Sequence, residues 1–106
     1  MADLDDLGRF SEPALLVLSS LAEGPKHGYA ITKDVRALAG VELGPGTLYG
    51  ALARLEERGF IEALPAQERR RPYRLTAAGA EVLERRLGAL QRVVKVGLQR
   101  LQGAVA

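Results

Sequence analysis

The chain has no cysteine among its 106 residues, which excludes disulfides, thiolate zinc sites, iron–sulfur clusters and thiol redox sensing. Its single histidine, His27, has no partner for a multi-ligand transition-metal site, so its ordinary role is a helix-start or packing residue. Ser11, Ser19 and Ser20 lack a second histidine or other activated base that would make one of them a nucleophile. The glycines at Gly44 and Gly46 lack the lysine that a phosphate-binding loop requires. No catalytic residue, metal or cofactor is expected, and the chain does not read as an enzyme. The longest apolar run, Ala14–Leu18, is too short for a membrane span or a secretion signal, so a cytoplasmic location without membrane contact is expected. A net charge of +2 is too small to argue for nucleic acid by itself. With 47% hydrophobic and 26% charged residues, the chain should form a folded protein small enough to benefit from a partner subunit.

The segment from Gly44 to Ile61 carries the most information. Pro45 suits a first helical turn, where its missing N–H costs nothing, and Gly59 just after Arg58 suits a left-handed stop. Leu48, Leu52 and Leu55, with Ala51 beside them, share one side at the 3.6-residue period and should pack inward. Gly46, Gly50 and Ala53 lie opposite, flanked by Thr47, Tyr49 and Arg54, so the outer face is nearly bare of bulk near its start. Glu56 and Glu57 are confined to the far end. A helix that presents its N-terminal residues and positive dipole end to bases and phosphates has this arrangement.

The residues C-terminal to this helix support the same chemistry. Phe60–Leu64 is a short apolar run, Pro65-Ala66-Gln67-Glu68 has turn composition, and Pro72–Thr76 reads as a second strand. The result is a β-hairpin with a basic tip, in which Arg69, Arg70, Arg71 and Arg74 face a single acid, Glu68, between Ala66 and Thr76. Adjacent arginines in an extended segment splay apart and can reach separate phosphate oxygens, the main source of affinity for DNA. The first twelve residues carry Asp3, Asp5, Asp6 and Glu12 against Arg9, which should keep that end away from DNA.

Two helices precede the sparse-faced one. Ser11 can cap the first, which runs through Leu15–Leu18 and Leu21 to Gly24-Pro25 and is apolar nearly all round. Gly28–Ala39 forms the second, an amphipathic positioning helix in which Tyr29 is expected to be a core aromatic. Val41-Glu42-Leu43 could add a third strand beside the hairpin. Three helices followed by a hairpin give a winged helix-turn-helix, mainly α with a small antiparallel sheet.

Thr76 can cap a long helix from about Ala77 to Gln102, roughly 39 Å at 1.5 Å per residue. Leu83, Leu87, Leu90, Val94, Gly97 and Leu101 are spaced 4, 3, 4, 3 and 4 apart, a heptad seam that a small winged domain cannot cover alone. Gly79, Gly88 and Gly97 each weaken the helix by about 1 kcal/mol relative to alanine, so it should need support from elsewhere. A homodimer through this seam is expected, with Leu4, Leu7 and Phe10 as candidate contributors. The chain is thus divided into a DNA-binding unit, residues 1–76, and a dimerisation helix, residues 77–106.

Pro13–Leu18, Glu23–Ile31, Gly46-Thr47-Leu48-Tyr49 with Leu52, Leu55, Glu56 and Gly59, and Tyr73–Gly79 together resemble the PadR family of prokaryotic transcriptional regulators. The match covers about residues 10 to 90 in the correct order and is specific as a set. It resembles the short subgroup, in which one C-terminal helix mediates dimerisation. The resemblance implies a repressor in most cases and, in some members, a phenolic or multidrug ligand at or near the dimer interface. It carries the recognition-helix role to Gly46, Thr47 and Tyr49 and the wing role to Arg71, Tyr73 and Arg74. The chain departs from the drug-binding members in having no tryptophan and no aromatic residue in its C-terminal helix, so flat-ligand stacking there has no support.

The expected function is sequence-specific binding of double-stranded DNA by a homodimeric repressor at a pseudo-palindromic operator. Two alternatives stay open: a winged-helix protein-docking module, and a sensor whose small-molecule effector sits between the C-terminal helices.

Overall fold

The computed structural model describes residues 12–105. Helix α1 spans Glu12–Leu21, strand β1 Lys26–His27, helix α2 Gly28–Ala39, helix α3 Pro45–Glu57, strands β2 and β3 Ile61–Ala63 and Pro72–Leu75, and helix α4 Ala77–Val105. Ser11, the expected cap of α1, and Leu4, Leu7 and Phe10, the candidate contributors to a dimer interface, lie outside the described residues. None of the helices described is long and apolar enough to cross a membrane.

The helix boundaries follow local chemistry. Gly44 precedes Pro45 at the start of α3, and Gly59 follows its end at φ +78°. Thr76 caps α4: the Gly79 N–H donates to its Oγ1 at 3.1 Å, while its own hydroxyl donates to the Gly59 carbonyl at 2.6 Å. The last turn of α3 and the first turn of α4 are thereby tied together.

The apolar faces of α1, α2 and α3 meet in one core, with Val17, Leu21, Ile31, Val35, Leu52 and Ile61 almost fully enclosed. Lys26 closes the α1–β1 turn beneath it. Its ammonium donates to the Ser20 carbonyl at 2.5 Å and pairs with Glu23 at 3.0 Å and Asp34 at 3.8 Å.

The sheet corrects one expectation. Its order is β1-β3-β2, all antiparallel, and the third strand is Lys26–His27, not Val41–Leu43. Lys26 pairs with Tyr73 and His27 with Pro72, so β1 occupies the free edge of β3. Val41–Leu43 is instead the α2–α3 connection: Leu43 is buried in the core, and Glu42 is held outward by Arg36 at 2.5 Å.

Leu83 is the second departure from expectation. It is 5% exposed and belongs to the core of its own chain, so it cannot open a seam for a second one. The first turns of α4 pack on α1, which consumes Leu83, whereas the remainder runs free of the core. At 29 residues the helix is about 44 Å long, most of the molecule's 57 Å longest extent. Leu87, Leu90, Val93, Val94, Leu98 and Leu101 are all exposed along it.

Candidate nucleic-acid interface

Helix α3 turns Leu48, Ala51, Leu52 and Leu55 into the core, which fixes the direction of everything else on it. Gly46, Thr47, Tyr49, Ala53 and Arg54 are exposed, and Gly50 is half-buried between them. The strip through Gly46, Gly50 and Ala53 has Tyr49 on one shoulder and Thr47, Arg54 and Arg58 on the other. Apart from the helix's own backbone, nothing among the described residues lies within 4 Å of where a Cβ would stand on Gly46 or Gly50, so the small residues leave open surface rather than room for packing.

The two shoulders have different neighbours. Tyr49, 55% exposed, lies over the start of α2: a Cβ on Gly28 would stand 2.8 Å from its hydroxyl and 3.3 Å from its ring. Beside it Tyr29 is 65% exposed, with the Lys33 ammonium 5.6 Å from its ring centroid. This overturns the expectation that Tyr29 is a core aromatic. Tyr29 is the second residue of the helix, directly after the glycine that Tyr49 covers, and the apolar positions that do turn inward are Ile31 and Val35. Counting back from Ile31 and Val35 at helical spacing places Tyr29 off the buried face, a signal present in the sequence.

On the other shoulder, α1, α3 and α4 enclose a groove of about 700 Å³. Leu15, Leu18 and Phe60 supply apolar wall, while Arg54, Arg58 and Arg86 are the charged residues lining it. Gly46, Thr47 and Gly50 form its edge.

The wing differs from the expected hairpin in where it reverses. Gln67 and Arg70 exchange backbone hydrogen bonds of 2.7 and 2.8 Å, so Glu68 and Arg69 are the two central residues of the turn. Their φ values of +53° and +85° fit the mirror-image turn that matches strand twist, a conformation usually given to Asn-Gly. Pro65 and Ala66 lie in the lead-in to that turn. The arginines are correspondingly unequal. Arg74 pairs with Glu62 directly across β2 and β3, so its charge is offset by an acid that lies outside the Ala66–Thr76 window. The Arg70 Nη1 donates to the His27 Nε2 at 3.3 Å. Arg69 and Arg71 are exposed and form no ion pair among the described residues.

His27 also caps α2, its Nδ1 accepting from the Ala30 N–H at 3.4 Å. A neutral imidazole offers one acceptor nitrogen at a time, so the helix cap and the wing arginine share this ring. Tyr73, given a wing role by resemblance, is half-buried with its side chain against the core. Burial pushes its phenol above the usual range, with the Glu56 carboxylate acting in the same direction. His27, Gly28 and Tyr29 thus form a junction: the first touches the wing, the second lies under α3, and the third faces solvent. The junction brings Tyr49 and the basic tip to either side of one helix start. Among the described residues no cluster of side chains suits a metal ion.

Comparison with known proteins agrees with this architecture. The model of the PadR-like transcriptional regulator family matches residues 17–85. An uncharacterized 37.1 kDa protein in transposon TN4556 of Streptomyces fradiae is 47% identical over 85 residues, 80% of this chain and 25% of that protein. The transcriptional activator GvpE2 of Halobacterium salinarum is 33% identical over 101 residues, 95% of this chain and 47% of its own length. The chain therefore spans less than half the length of either curated relative. A crystal structure of a PadR family transcription regulator from Clostridium difficile superposes with a TM-score of 0.77 at 31% identity, covering 86% of this chain and 99% of that one. With the motif set, the winged fold and these matches in agreement, the chain belongs to the PadR-like family of transcriptional regulators.

Proposed function

We propose that the chain is a sequence-specific DNA-binding repressor that acts as a homodimer on a pseudo-palindromic operator. The observation that carries this reading is the pairing of an open α3 face, Gly46 to Arg54, with a wing tip whose Arg69 and Arg71 are exposed without ion pairs among the described residues. Gly46, Gly50 and Ala53 let the α3 backbone approach a groove, Thr47 and Tyr49 supply hydroxyls for base edges or phosphates, and Arg54 supplies a guanidinium. Arg69, Arg70 and Arg71 neutralise phosphates, while Tyr73 and Arg74 hold the wing in position.

The dimer reading rests on α4. With Leu83 consumed by the core, the proposed seam is Leu87, Leu90, Val94, Gly97 and Leu101, five positions that no other described element covers. Residues 1–76 would bind DNA and 77–106 would join two copies. A two-fold dimer presents its recognition helices about one duplex turn apart, roughly 34–36 Å. Enrichment of bound fragments from random DNA tests this directly. The expected result is an inverted repeat with half-site centres about 10 base pairs apart, or a multiple of that. Enrichment of no sequence would sink specific recognition. Transcription from a promoter carrying the enriched site, with and without the protein, gives the sign of regulation.

A further inference from the structure

We propose that His27 is a positioning residue for the wing: its ring holds Arg70 in the free protein and, when that guanidinium transfers to a DNA phosphate, changes tautomer and caps α2. The transfer rests on the DNA-binding reading above; the sharing of the ring stands on geometry alone. The Ala30 N–H reaches Nδ1 at 3.4 Å, and the Arg70 Nη1 reaches Nε2 of the same imidazole at 3.3 Å. Both contacts need an acceptor nitrogen, and a neutral ring has one. With the proton on Nδ1, the ring takes Arg70 and leaves the Ala30 N–H, an orphan donor of the first helical turn, without a side-chain acceptor. With the proton on Nε2, the ring caps α2 and turns a donor toward Arg70.

Hydrogen-bond strength sets the order of events. A guanidinium is a charged donor, so in the free chain it takes the acceptor in preference to the Ala30 amide. A phosphate oxygen is a charged acceptor and takes Arg70 from the neutral ring. One proton then leaves Nδ1 for water and another arrives at Nε2, with no change in net charge. Among the described residues no carboxylate pairs with Arg70, although Glu68 lines the same cleft between β1 and the wing, and Lys26 there is engaged by Glu23 and Asp34. The strand ladder is weak at this point too, because His27 faces Pro72, which has no N–H to donate. The placement of Arg70 against β1 therefore falls to the ring. The transfer also reaches α3: capping fixes the first turn of α2, and Gly28 in that turn lies under the Tyr49 side chain. Phosphate contact at the wing thereby firms the support of a residue proposed to meet DNA.

His27 is the only histidine in the chain, so the nitrogen NMR spectrum of isotope-labelled histidine reads its tautomer directly, and the same spectrum confirms that the ring is neutral. The free protein is expected to have Nε2 bare, and protein saturated with a random-sequence duplex to have Nδ1 bare. The Ala30 amide should exchange with solvent roughly fivefold more slowly in the bound state, the size of effect a helix cap supplies. Arg70→Ala removes the competing donor and should give the bound tautomer and the slow exchange without DNA. Arg70→Lys keeps a charged donor and should restore the parent's pattern. His27→Asn caps α2 but is too short to reach Arg70, so exchange at Ala30 should be slow with and without duplex. A histidine that only caps the helix has Nδ1 bare in every sample, and that result overturns the proposal, as does a tautomer that Arg70→Ala leaves unchanged. A tautomer that stays the same when duplex binds overturns the transfer. If no duplex binds, the DNA-binding reading and the transfer fall together, while Arg70→Ala in the free protein still decides whether the ring is shared.

Discussion

The Tyr49 side chain lies over the bare backbone of Gly28, its hydroxyl 2.8 Å from where a Cβ would stand. The contact joins the N-terminal half of α3 to the first residue of α2, and it exists only because position 28 has no side chain. It fixes Tyr49 from below while leaving it 55% exposed above.

Gly28→Ala is therefore expected to separate stability from recognition. A methyl there meets the far end of a movable side chain, so the tyrosine swings aside and thermal stability stays within about 1 kcal/mol of the parent. Discrimination between operator and variant sites should fall by about 1 kcal/mol or more at the pairs Tyr49 reads. Melting curves and operator titrations check the two halves, and preserved discrimination would show that Tyr49 does not act in recognition.

Gly79→Ala should behave differently. Its Cβ would stand 2.0 Å from the Phe60 carbonyl oxygen, a backbone atom that α4 and β2 would have to part to accommodate. Helix propensity favours alanine by about 1 kcal/mol, but overpacking of this kind costs about 1–3 kcal/mol, so a net loss is expected. Gly88→Ala, whose nearest contact would be the Arg92 guanidinium at 3.9 Å, should stabilise the same helix. Denaturant titration of the two variants should give opposite signs.

Arg69→Gly tests the wing through two opposing effects. Glycine adopts a φ of +85° without the steric penalty of a side chain, which should stabilise the hairpin by about 1 kcal/mol. If the guanidinium neutralises a phosphate, the log–log salt slope of DNA binding should flatten by about 0.9. A more stable protein with an unchanged slope would make Arg69 a solvent charge.

Leu83 and Val94 lie eleven residues apart on one helix and should fail in different ways. Leu83→Ala opens a cavity in the core and should cost about 2–5 kcal/mol of folding stability. Charges at Leu87 and Val94, both exposed within the chain, should leave the winged domain folded and abolish the dimer. Sedimentation and melting together separate the two outcomes. A parent chain that is monomeric at micromolar concentration would remove the basis for the seam.

Local chemistry determined the helices, because their signals are short in range. Pro45 and Gly59 bound α3, Thr76 caps α4, and the 3.6-residue spacing of Leu48, Leu52 and Leu55 sets which face turns inward. The family was legible for the same reason, as its motifs are contiguous runs. Tertiary structure decided what depends on partners distant in sequence. Which segment pairs with β3 was settled by the edge that β1 reaches, and the charge of Arg74 by Glu62 twelve residues away. The heptad spacing assigned Leu83 to the seam with its neighbours, since spacing marks a residue as buried without naming what buries it. Only the packing of α1 against the start of α4 gave Leu83 to the core and left Leu87 onward exposed.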